Sequence, residues 1–206
     1  MQAQIGKKAP NLDIAHWVQG GPTNIDLLKG KVVLVEVFQV NCPGCFLSGL
    51  PQAIDLHNRY DAKGLTVLGL STAFEDFDKN SLSNLRLLLD KGVVIGETLD
   101  KLMFYEAIAK ARGFRHETPL LVDGSRLPYR IPFPVAMDVI GKEVTERKEG
   151  EHNIRITHHT DGKTFTRYGL RGTPSSILID RKGMLRGRSF GRDDDLDEDV
   201  EKLLAE

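Results

Sequence analysis

The segment Lys31-Val32-Val33-Leu34-Val35-Glu36-Val37-Phe38, followed closely by Cys42-Pro43-Gly44-Cys45, decides how this chain folds. The first part is β-branched and almost wholly apolar, and Lys29-Gly30 introduces it. Such a run predicts a strand buried on both faces, as in a parallel or mixed sheet covered by helices. Downstream, Leu50, Ile54 and Leu56 suit one face of a helix running from Cys45 to Tyr60. After the turn signal Lys63-Gly64, Leu65 to Ser71 repeats the buried-strand pattern. Strand, helix, strand in that order predicts two parallel neighbours.

Further out, Asn80-Ser81 is placed to cap a helix over Leu82 to Leu89, and a second helix is expected from Leu99 to Arg112, stopped by Gly113. Ile131 to Asp138 reads as a short strand, demoted to an edge or a strand entrance by Pro132 and Pro134. Ser176 to Asp180, the turn Arg181-Lys182-Gly183, and Met184 to Phe190 predict a hairpin. Asp193-Asp194-Asp195 is expected to cap a final helix whose Leu196, Val200, Leu203 and Leu204 fall on one face. Gly141 to Lys163, dense in Glu, Lys, Arg and His, is expected as a solvated excursion.

With 206 residues, 40% hydrophobic and 28% charged, the chain has material for one domain with insertions, at about 85–130 and 140–165. A net charge of −1 gives no general attraction to nucleic acid. Nowhere are there ~18 uninterrupted apolar residues for a membrane span, and the polar start lacks a signal-peptide core. The expected partners therefore include neither nucleic acid nor membrane. A cytoplasmic location is expected, although a chain trimmed of an export signal reads the same.

The only two cysteines, Cys42 and Cys45, are too close to staple a fold, because a bridge between them closes a tiny loop. Their value lies in chemistry. A thiolate is the nucleophile of disulfide exchange, and an attacking cysteine needs help losing its proton. Cys42 stands where a buried strand ends and a helix begins, so unpaired N–H groups of the first turn can stabilise its charge. Pro43 suits a helix start, and the two-residue spacing puts Cys45 about one turn away. The competing reading is half of a zinc site, which needs about four ligands. His16, His57, His116, His152, His158 and His159 are the available completions, and none has paired spacing with the cysteines, so no metal is expected.

Glu36 is the one charge in Val32 to Phe38, six residues before Cys42. Burial raises the pKa of a carboxyl, and such groups collect at functional sites. A role in moving the Cys45 proton, directly or through a water, competes with a plain ion pair to a nearby Lys or Arg. Gly172-Thr173-Pro174 stands just before a buried strand, a setting in which cis proline occurs, although the signal alone is weak.

Taken together, Ile5 to Pro10, Leu28 to Lys31, Cys42-Pro43-Gly44-Cys45, Pro51, Gly64 to Ser71, Tyr168 to Pro174 and Ile179 to Gly183 resemble the thioredoxin-like disulfide reductases of the TlpA/ResA type and their peroxiredoxin-related cousins. The resemblance implies an α/β, thioredoxin-like fold with a central mixed β-sheet flanked by helices. It implies Cys42 as the exposed attacking thiol, Cys45 as the buried resolving thiol, and Glu36 as the buried acid. It also makes Pro174 a cis proline beside the cysteines, with Thr173 offering backbone to an extended substrate and Pro43 and Gly44 bordering it. No cofactor is implied; the partners are a disulfide-containing protein or small-thiol substrate and an upstream thiol reductant. Departures are Asn41, where relatives carry an aromatic residue, and Pro43-Gly44, which replaces the Gly-Pro of thioredoxin.

Two further functions compete. A peroxidase of the peroxiredoxin kind places Pro and Thr or Ser seven and three residues before its cysteine. Here those positions hold Val35 and Gln39 for Cys42, or Phe38 and Cys42 for Cys45. A non-enzymatic redox sensor or binding protein is the other alternative, with the polar insert serving a partner.

Overall fold

The computed structural model describes residues 2–112, 119–149 and 152–206. Six strands form one mixed sheet in the order β1-β4-β3-β2-β7-β8. They are β1 (Ile14–Gln19), β2 (Val32–Phe38), β3 (Leu65–Ser71), β4 (Val135–Asp138), β7 (Ser175–Ile179) and β8 (Leu185–Phe190). β2 runs parallel to β3 and antiparallel to β7, so it is paired along both edges. All seven of its residues are buried, as its unbroken apolar run requires.

Side chains alternate across a strand, and β2 sorts its residues accordingly. Val32, Leu34 and Phe38 join one core layer with Leu50, Ala53 and Leu56 of helix α1 (Leu50–Tyr60) and Leu196, Val200 and Leu203 of helix α5 (Leu196–Ala205). Val33, Val35 and Val37 join the opposite layer with Tyr168, Ile177 and Ile179. Glu36 belongs by parity to the α1 face. Its register partner on β7 is Ser176.

The chain between β3 and β4 carries α2 (Leu82–Lys91) and α3 (Gly96–Ala111). Ser81 caps α2 as expected, its hydroxyl accepting from the Asn84 N–H at 3.4 Å. The second helix starts at Gly96 rather than Leu99, and its predicted stop, Gly113, lies outside the described residues.

Two expectations need correction. Of the two placements expected for Ile131 to Asp138, the prolines at a strand entrance hold and the edge does not: β4 lies between β1 and β3. Pro132 and Pro134 precede its first paired residue, so neither removes a donor from its ladder. The Asp193 to Asp195 run does not cap α5 with a side chain at the N-cap; the Asp193 carboxylate instead accepts the Asp195 N–H at 3.1 Å.

The polar stretch, expected as a solvated excursion, forms a two-stranded ribbon, β5 (Ile140–Glu149) with β6 (His152–Gly162), most of whose described side chains are exposed. It returns to the sheet at α4 (Lys163–Arg167), where buried Asp138 accepts the N–H groups of Thr164 and Phe165 and the Thr72 hydroxyl. No helix among the described residues is long and apolar enough to cross a membrane.

Candidate active site

β2 ends at Phe38 and delivers Cys42-Pro43-Gly44-Cys45 to the start of the helix that packs on its face. The first turn is not α-helical: Cys45–Gly49 is a π-turn that continues into α1. One extra residue per turn lets the backbone bulge, a feature that concentrates at functional sites. Both cysteines are free thiols; Cys42 is half-buried and Cys45 fully buried.

The Cys45 N–H donates to Cys42 Sγ at 3.3 Å, and in its protonated form Cys42 donates to the Thr173 carbonyl at 3.4 Å. The Cys45 thiol is the strongest influence holding the Cys42 pKa down, to about 6; the Thr173 side chain and the N–H groups of Cys45 and Gly44 add to it, outweighing burial. Burial pushes the Cys45 thiol well up, and the neighbouring Cys42 adds to that. The two thiols are therefore unequal: the half-buried one is biased toward its thiolate and the fully buried one toward its protonated form.

The Thr173–Pro174 peptide is cis. Pro174 Cδ lies 3.4 Å from where a Cβ on Gly44 would stand, so the proline ring borders the dithiol turn. Thr173 is fixed by a residue the sequence reading did not assign: its hydroxyl donates to the Oε1 of buried Gln39 at 3.0 Å. A polar side chain one position past an apolar strand was the available signal.

Glu36 is 1% exposed and has no cationic partner among the described residues, which gives the ion-pair reading no support. The Ser176 hydroxyl donates to Oε2 at 2.8 Å, and Oε1 has no hydrogen-bond partner among the described residues. Burial raises its pKa to about 8, moderated by the Ser176 bond and raised slightly further by Cys42. A methyl group on Gly49 would fall inside contact distance of both Glu36 Oε1 and Pro174 Cβ. The missing side chain thus lets the π-turn close over acid and proline together. The structure gathers Cys42, Cys45, Pro43, Gly44, Thr173 and Pro174 at one turn, with Glu36 beneath Gly49 and not hydrogen-bonded to either sulfur.

The β3–β4 connection grips both flanks of the dithiol. Asn80 Oδ1 accepts the Val40 N–H at 3.0 Å, the Thr98 hydroxyl donates to the Asn41 carbonyl, and the Tyr129 hydroxyl donates to the Phe46 carbonyl at 2.8 Å. Thr98 and Tyr129 also escaped the sequence reading, and Asn80 was read only as a helix cap, since nothing local ties the three to residues 40–46. Beside Cys42 opens a cleft of about 150 Å³ bordered by Asn41, Glu75, Asp76, Lys79 and, from α3, Glu97, Thr98 and Lys101. Among the described residues, no three His, Cys, Asp or Glu side chains converge as a metal site. His116 lies outside those residues.

Comparison with solved structures places this arrangement. A thiol-disulfide isomerase from Corynebacterium glutamicum is 31% identical, covering 96% of this chain and 97% of its own, with a TM-score of 0.61. The chain belongs to the thioredoxin-like disulfide oxidoreductases. A thioredoxin-like superfamily protein is 27% identical over 98% of both chains, with a TM-score of 0.65. A thiol:disulfide interchange protein of the thioredoxin family from Chlorobium tepidum shares the fold at 19% identity, a TM-score of 0.52 and 99% coverage of both chains. Models of known families and curated protein sequences return no match. As a thioredoxin-like disulfide oxidoreductase, the chain keeps the family's mixed sheet between helices, with the cysteine turn at the end of its central strand.

Proposed function

We propose that this oxidoreductase is of the protein-disulfide reductase type and works through the Cys42-Pro43-Gly44-Cys45 dithiol. The observation that carries this reading is the asymmetry of the pair. Cys42 is partly exposed and accepts the Cys45 N–H, with its pKa held to about 6; Cys45 is buried behind it and stays protonated.

In the first step the Cys42 thiolate attacks one sulfur of a substrate disulfide. A Cys42–substrate S–S bond forms, the substrate S–S bond breaks, and the departing thiolate takes a proton from solvent. Cys45 then gives its proton to the Glu36 carboxylate through an intervening water and attacks Cys42 Sγ. The second substrate thiolate leaves and is protonated, and the Cys42–Cys45 disulfide remains. The substrate has gained two electrons and the protein has lost two. An upstream thiol reductant restores the dithiol. All electrons stay on sulfur, so the cycle calls for no cofactor and no metal. Thr173 offers backbone to an extended substrate, with Pro174, Pro43 and Gly44 shaping the approach. The substrate is a disulfide-containing protein or a small disulfide, and neither nucleic acid nor membrane is among the proposed partners.

Insulin reduction by a thiol reductant, followed with wild type and Cys42→Ser, tests the proposal. Turnover that disappears in Cys42→Ser is the expected result. Equal rates for the two proteins, or consumption of peroxide in preference to disulfide, would overturn it.

A further inference from the structure

Helix α3 has apolar side chains on every side, Leu99, Leu102, Met103, Phe104, Tyr105 and Ile108 among them. A helix of that composition is ordinarily enclosed by protein. Here only Thr98 and Leu102 are buried, while Phe104 is 61% and Tyr105 45% exposed. Their rings lie 6.3 Å apart. Other large exposed apolar residues, such as Ile5, Leu27 and Val122, are spread along the chain, and scattered single residues of that kind call for no explanation.

The position of this aromatic pair is informative. Residues three and four apart share a helix face, so Glu97, Lys101, Phe104, Tyr105 and Ile108 form one strip. The first two members of that strip border the cleft at Cys42, and Thr98 beside them bonds to the Asn41 carbonyl. The apolar part therefore begins about one helical turn, roughly 5 Å, beyond the last residue of the cleft wall. A small disulfide seated in about 150 Å³ next to Cys42 leaves the aromatic pair uncovered. A polypeptide that continues out of the cleft covers it.

We propose that this strip of α3 is a docking surface for an extended polypeptide segment whose cystine reacts at Cys42 and which carries an apolar side chain three to four residues away. The spacing follows from reach: Cys42 and Lys101 line one small cleft, Phe104 and Tyr105 follow Lys101 by about one helical turn, roughly 5 Å, and an extended chain advances about 3.3 Å per residue. The inference rests on the disulfide-exchange reading and selects polypeptides within it.

Two short peptides test it, each with one cysteine held as a mixed disulfide with thionitrobenzoate. One has Phe three residues from the cysteine and the other has Ser there. Wild type should show a KM about tenfold lower for the Phe peptide, as partial burial of one aromatic side chain allows. In the double variant Phe104→Ser, Tyr105→Ser that preference should vanish. Its kcat, and its rate with a small disulfide, should stay at wild-type values. Both residues are exposed, so the variant should keep its fold. Equal KM values for the two peptides with wild type, or a preference that survives in the double variant, would overturn the proposal. So would a wild-type dimer that the double variant converts to monomer, since the strip is then an interface between copies. If no disulfide turns over in a Cys42-dependent way, it is the exchange reading that fails.

Discussion

Ser176 holds Glu36 from the neighbouring strand: the two are register partners across β2 and β7, and the serine hydroxyl donates to Oε2 at 2.8 Å. That bond favours the ionised carboxyl and keeps the pKa from rising further than about 8. Ser176→Ala should therefore raise the Glu36 pKa by up to about one unit, the equivalent of one ordinary hydrogen bond. The pH profile of mixed-disulfide resolution, measured in single-turnover experiments, should move to higher pH by the same amount. Glu36→Gln should flatten that profile and slow the step. An unchanged profile in both variants would remove Glu36 from proton transfer.

The two perturbed acids act on stability in opposite directions. The Glu36 pKa is raised from an ordinary 4.5 to about 8, so the folded state binds the extra proton and stability falls as pH rises through that interval. The Cys42 pKa is lowered from 9.0 to about 6, so the unfolded state binds the extra proton and stability rises over that window. Between about 6 and 8 the slopes cancel, each being roughly 1.4 kcal/mol per pH unit. Urea unfolding of the reduced protein should show little net contribution from this pair in that range. Cys42→Ser should lose stability with pH there, and Glu36→Gln should gain it. Matching slopes in the two variants would contradict the pKa directions.

Cys42 should be alkylated by iodoacetamide with a rate that rises through pH 6 and levels off by neutrality, where the thiol is about nine-tenths ionised. Cys45 should stay unmodified until the protein unfolds, because it is buried and its pKa is pushed up. Mass spectrometry of peptides from a pH series reads both sites. Early labelling at Cys45 would reverse the assignment of attacking and resolving thiols.

Legibility in the sequence followed the range of the interaction. β2 and β3 were readable because a central strand needs an unbroken apolar run, and Glu36 stood out because it interrupts one. The α5 face and the β7–β8 hairpin carried local periodicity and a local turn signal. Contacts between distant segments had no such mark. Tyr129 meets the Phe46 carbonyl across 83 residues and neither is unusual in its own neighbourhood; Gln39, which meets Thr173 across 134, stands out only as a polar residue just past an apolar strand, and that does not say what it meets. The placement of β4 inside the sheet depended on β1, whose mixed exposure gives only a weak alternation. The π-turn was equally hidden, because it reflects what Gly49 must approach rather than any helix propensity of residues 45–49.

Gly49 offers the most direct check on how the site is assembled. Its backbone has ordinary helical dihedrals, so alanine is acceptable there on conformational grounds and is the better helix former. The obstacle is space, since the new methyl would press on Glu36 Oε1 and Pro174 Cβ, both held by β2 and β7. Gly49→Ala should therefore destabilise the protein by about 1–3 kcal/mol, the usual effect of overpacking, instead of stabilising it. The same shift should move Pro174 relative to the dithiol turn, so insulin reduction should fall more than the rate with a small disulfide. Gly49→Ala with wild-type stability and wild-type selectivity would mean that the π-turn relaxes without disturbing the acid or the proline. The close approach of helix, acid and proline would then have no part in positioning the site.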